Sequence, residues 1–61
     1  MDIKKVEIIS RKDTDEGFEY YIRMPNRRMI KMTSDRKLDV GIKVYVVCDY
    51  IHGNFENVKF A

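Results

Sequence analysis

Hydrophobic and polar residues alternate along much of this chain. Phe18, Tyr20, Ile22 and Met24 interleave with Glu19, Tyr21 and Arg23, and Ile42, Val44, Val46, Cys48 and Tyr50 interleave with Lys43, Tyr45, Val47 and Asp49. A period of two, carried by β-branched and aromatic residues, is the pattern of a strand with one buried face. A helix needs apolar residues at i, i+3, i+4 and i+7, and no window sustains that spacing. Val6 and Ile8 predict a first strand over residues 4–11, Ile30 and Met32 a third over residues 28–33, and Val58 and Phe60 a last one. The expectation is five short strands.

The breaks between them are legible. Residues 11–17 are polar and close on Gly17, which predicts a loop. Pro25 and Asn26 suit the central positions of a type I turn. A two-residue turn there would pair Ile22 with Met29 and Tyr21 with Ile30. A three-residue loop, Pro25-Asn26-Arg27, pairs Ile22 with Ile30 and Tyr20 with Met32, which keeps apolar against apolar. The second register is preferred, because a one-residue slip moves every side chain to the other face. It demands a left-handed backbone at Arg27, where Gly or Asn would sit more easily. The last hairpin turns near His52-Gly53-Asn54, with its register open. Residues 33–41 are polar and hold at most one short helical turn.

These strands predict an all-β fold, a small five-stranded antiparallel barrel or strongly curled sheet forming one domain over residues 1–61. Closure hides the strand edges that a chain without covering helices leaves open. Residues 40–46, Val-Gly-Ile-Lys-Val-Tyr-Val, resemble the fourth strand of small barrels of both the SH3-like and the OB-like kind. An OB-like barrel normally carries a helix between its third and fourth strands, and little room exists for one here. The SH3-like form is therefore expected, with the OB-like form as the alternative.

Composition narrows the class. With 61 residues, 44% hydrophobic and 36% charged, the chain is too apolar for a disordered tail. Its core is thin, since a chain of this length buries only about 60% of its unfolded surface. The longest apolar run, from Val44 to Cys48, falls far short of the roughly 20 residues of a membrane-spanning helix. The lysines at positions 4 and 5 precede no apolar block, so no secretory signal is expected. A lone cysteine rules out an internal disulfide framework and favours a reducing, cytoplasmic location.

The net charge of +2 is unevenly spread, running −2 over residues 1–22, +5 over residues 23–45 and −1 over residues 46–61. The preferred register turns Tyr21, Arg23, Met29 and Lys31 outward on the second and third strands, and the fourth strand adds Lys43 and Tyr45. Arg27 and Arg28 sit at the connecting turn. Cationic groups neutralise phosphates while aromatic faces stack on unpaired bases. These eight residues are the candidate nucleic-acid-binding face, for single-stranded RNA or DNA. The same pattern also fits an ordinary solvated strand face. Met29, Tyr21, Tyr45 and Val47 inside an Arg-rich rim fit a small protein-interaction domain, a regulator or inhibitor docking on an acidic protein partner.

Chemistry beyond binding finds little footing. Cys48 and His52 are two soft ligands where a structural zinc site takes four, and Cys48 lies in the inward phase, away from the exposure a nucleophile needs. Asp13, Asp15 and Glu16 lack the spacing of a calcium loop. No glycine-rich phosphate loop and no amphipathic membrane helix are present. The expectation is a non-catalytic module without cofactor. Ile9, Val47 and Phe55 have a phase that suggests exposure, and a thin core gains from pairing a spare edge, so a homodimer is a further expectation.

Overall fold

The computed structural model describes residues 1–61, and all its regular structure is strand. The five strands are β1 (Asp2–Thr14), β2 (Gly17–Arg23), β3 (Met29–Ser34), β4 (Lys43–Ile51) and β5 (Asn54–Phe60). They form one antiparallel sheet in the order β3-β2-β1-β4-β5. The sheet curls until β3 and β5 approach each other, giving the nearly closed small barrel that the alternation predicts. A β1-β2-β3 meander whose fourth strand returns beside the first is a Greek key. A five-stranded, partly open Greek-key barrel is the OB-type arrangement, so the connectivity matches the OB-like form, with a helix-free loop between β3 and β4.

The β2–β3 hairpin has the expected register. Ile22 faces Ile30 and Tyr20 faces Met32. The amide of Met24 donates to the Arg28 carbonyl at 2.9 Å, and the amide of Arg27 donates to the Met24 carbonyl at 2.9 Å. Arg27 takes the left-handed conformation, φ 69°, completing a type I turn followed by a bulge residue. At the other end of the molecule, residues 11–17 are not the expected loop. Both strands continue to a two-residue turn, with Asp13 opposite Phe18 and Thr14 opposite Gly17. Polar residues suffice there because the strands have run past the core into water.

β1 is long because it serves two neighbours. Its register to β2 shifts between Ile8 and Ser10, a bulge at Ile9 that bends the strand. Before the bulge, Val6 and Ile8 point inward; after it, the inward phase passes to Arg11, which faces Tyr20. The core comprises Val6, Ile8, Tyr20, Ile22, Met24, Met32, Val46 and Cys48. Phe18, Ile30, Leu38, Val44, Phe55, Val58 and Phe60 pack around it. Phe55 is thus half-buried rather than exposed, as are Ile9 and Val47. Ile42 and Tyr50, inward in phase, lie at the ends of the barrel and are exposed.

The loop joining β3 to β4 takes the place a helix would fill. Tyr20, fully buried, donates its hydroxyl proton to the Arg36 carbonyl at 2.5 Å and accepts from the Leu38 amide at 2.8 Å. Arg11 Nη1 donates to the Leu38 carbonyl at 2.9 Å while its guanidinium lies over the Phe18 ring. Gly41 and Ile42 exchange hydrogen bonds with the backbone of Ile8. One phenol and one guanidinium fasten the loop over that end of the barrel.

Candidate nucleic-acid interface

The register places the candidate residues on one curved outer surface with β1 at its middle. On the β2 side, Arg23 lies opposite Met29, and Tyr21 opposite Lys31, as expected. Both Tyr21 and Met29 are exposed. The basic groups here, however, meet carboxylates, Arg23 across the β1–β2 pair and Lys31 diagonally across the β2–β3 pair. Arg23 Nη1 lies 3.3 Å from Glu7 Oε1, and Lys31 Nζ lies 3.5 Å from Glu19 Oε2. Exposed pairs of this kind contribute about 0–1 kcal/mol to stability, yet each cancels a charge that a phosphate would need.

The β4 side is different. Tyr45 is 57% exposed and faces Lys5 on β1. The Lys5 ammonium sits 6.0 Å from the ring centroid, the outer limit of a cation–π contact. Lys43 is two residues away on the same face of β4, opposite Glu7, whose carboxylate turns the other way to Arg23. Val47 lies between Ile3 on β1 and Lys59 on β5. Lys5, Lys43 and Lys59 are all exposed and take part in none of the four ion pairs of the molecule. The result is an aromatic and aliphatic centre, Tyr45, Val47 and Ile3, ringed by three free ammonium groups.

Tyr21 and Tyr45 therefore share the outer surface without sharing a site. Tyr21 is level with Ser10 on β1 and Tyr45 with Lys5. At about 3.3 Å per residue and 4.8 Å per strand, their backbones are roughly 15–20 Å apart. Arg27 and Arg28 lie at the hairpin tip, exposed and unpaired with carboxylates, and the Arg28 amide is held by Asn26 Oδ1 at 3.1 Å. Arg36, by contrast, is engaged with the Ala61 carbonyl at 2.8 Å.

Lys5 and Lys59 were not singled out by the pattern of residues. Each is an ordinary outward lysine until β1 and β5 are laid either side of β4. No local signal carries that pairing, because β1 and β4 are far apart in sequence.

Cys48 is buried and without a disulfide. Burial, with the negative charge of Asp2 adding to it, pushes the thiol above its ordinary pKa, so the reactive thiolate is disfavoured. No cluster of three or more His, Cys, Asp or Glu side chains converges on a metal-sized site. Comparison with known protein families, with curated proteins and with solved structures finds no match for this chain.

Proposed function

We propose that the protein is a non-catalytic binding module that holds single-stranded nucleic acid across the outer face of β1 and β4. The observation that supports this reading is the exposed Tyr45 ring set among Lys5, Lys43 and Lys59, none of which takes part in an ion pair. An aromatic face accepts any base by stacking, and free ammonium groups beside it replace the counterions of the phosphate chain. The β2 face, with Tyr21, Arg23, Met29 and Lys31, extends the surface but is partly self-neutralised. Arg27 and Arg28 at the hairpin tip add charge that is free.

The exposed Ile3 beside Val47 favours a second reading, docking on an acidic protein surface, with aliphatic anchors inside a lysine rim. A salt titration separates the two. Fluorescent unstructured oligonucleotides are compared with an acidic peptide of equal charge lacking bases. The nucleic-acid reading expects the oligonucleotide to bind more tightly, with log affinity falling by about 0.7 per phosphate neutralised for each decade of salt. Equal or tighter binding of the peptide overturns it.

A further inference from the structure

The end of the barrel nearest the β2–β3 turn opens into a recess of about 410 Å³ lined by Asp2, Lys4, Pro25, Asn26, Tyr50 and Phe55. Its walls follow from the strand phases. Lys4 occupies an inward position on β1, opposite the buried Val46. Tyr50 continues the inward phase of β4 past the end of the core, so its ring stands at the rim, 55% exposed. Phe55 faces it across the β4–β5 pair, with ring centroids 4.8 Å apart in an edge-to-face arrangement. Pro25 and Asn26 come from the opposite hairpin.

Three features of this mouth are unspent by the fold. Lys4, half-buried, belongs to no ion pair, although it stands where the barrel interior begins. Arg28 lines an adjoining hollow that shares Asn26 and Phe55 with the mouth, and it too has no carboxylate partner. The Tyr50 ring leaves more than half its surface to water while held by Phe55. A cation on each side of an aromatic wall selects a ligand that is both planar and anionic. Asp2 supplies an acceptor, and the Asn26 amide supplies donors, for the polar edge of such a ring. Mouths of small barrels are recurrent ligand sites for the same geometric reason, a concave end with apolar walls.

We infer that this mouth is a nucleotide subsite, taking one unpaired base against Tyr50 while Lys4 and Arg28 hold the flanking phosphates. The inference rests on the nucleic-acid reading above and deepens it. The Tyr45 face and the mouth are joined by Ile3 and Val47, beyond which the Met1 ammonium pairs with Asp49 at 3.8 Å, so a strand stacked on Tyr45 reaches Tyr50 past that one ion pair. Asp2 at the rim disfavours a phosphate directly over it and orients the base edge there instead.

The test compares the whole chain with Tyr50→Ala, Tyr50→Phe, Lys4→Gln and Tyr45→Ala for binding to a fluorescent unstructured oligonucleotide at low salt. Tyr50 is exposed enough for its loss to leave the fold intact, which circular dichroism checks, and Tyr50→Phe keeps the ring. The expected result is an affinity about 5- to 150-fold lower for Tyr50→Ala, near wild type for Tyr50→Phe, and a salt slope lower by about 0.7 for Lys4→Gln. Loss of affinity in Tyr45→Ala with no change in Tyr50→Ala and Lys4→Gln overturns the mouth subsite alone. Loss in Tyr50→Ala without loss in Tyr45→Ala supports the mouth and overturns the face. Absence of oligonucleotide binding by the unaltered chain overturns both.

Discussion

Replacing Tyr20 by Phe removes a single oxygen atom and isolates what fastens the β3–β4 loop. The ring is fully buried and packs edge-on against Phe60 at 5.1 Å between centroids, contacts that Phe retains. The hydroxyl is lost, and with it the donation to Arg36 and the acceptance from Leu38. Each net hydrogen bond contributes about 0.5–1.5 kcal/mol, and a buried amide left without a partner costs about 1–3 kcal/mol. The loop is only part-buried, so water recovers some of that loss, and the expected destabilisation is about 1–3 kcal/mol. At 0.05–0.15 kcal/mol per residue, a chain of this size has about 3–9 kcal/mol in total, so the change is a large fraction of stability. Urea denaturation followed by circular dichroism reads it as a lower midpoint at unchanged slope, and thermal melting as a fall of about 4–8 °C per kcal/mol. Hydrogen exchange adds a local readout, because the Leu38 amide should lose protection. An unchanged midpoint together with a Leu38 amide as protected as before would refute the reasoning.

The other predictions concern backbone and thiol. Gly17→Ala should destabilise by about 1–3 kcal/mol in the same denaturation assay, because φ is 135° and the new Cβ would lie 2.7 Å from the Ser34 carbonyl oxygen; wild-type stability would show that the turn relaxes freely. Arg27→Gly should stabilise by about 0.5–1 kcal/mol, the relief of a left-handed residue exceeding the added entropy of the unfolded chain, and a lower midpoint would contradict this. Cys48 should be inert to thiol reagents until the chain unfolds. Since its pKa is raised in the folded state, the unfolded chain loses that proton first, so stability should fall as pH rises past the ordinary thiol range. Cys48→Val should remove that component of the pH dependence, and an identical pH profile in the variant would count against it.

How much of this was legible in the sequence varied with the range of the interaction. The β2–β3 hairpin could be read to the residue because Pro25 and Asn26 fix the turn and the alternation of Tyr20, Ile22, Ile30 and Met32 allows one register. The phase of β4 from Val44 to Cys48 was equally plain. The pairing of β1 with β4 was not, since nothing local distinguishes an inward Val6 that meets Val44 from one that meets any other strand. The bulge at Ile9 hid Glu7 as the cross-strand partner of Arg23, and Lys31 meets Glu19 on the diagonal of the β2–β3 pair, so charge counted along the chain overstated the free basicity of the β2 face. Arg11 read as a loop residue because its inward role depends on the Leu38 carbonyl, 27 positions away. The free lysines around Tyr45 come from three strands, and only the sheet order brings them together.

The central claim is that Tyr45, among Lys5, Lys43 and Lys59, is a stacking platform for unpaired bases. Its most direct test is the affinity of Tyr45→Ala and Tyr45→Phe for an unstructured oligonucleotide, by fluorescence anisotropy at low salt. The account predicts a loss of about 1–3 kcal/mol for alanine and near-native binding for phenylalanine. Alanine binding as tightly as the unaltered chain would contradict it.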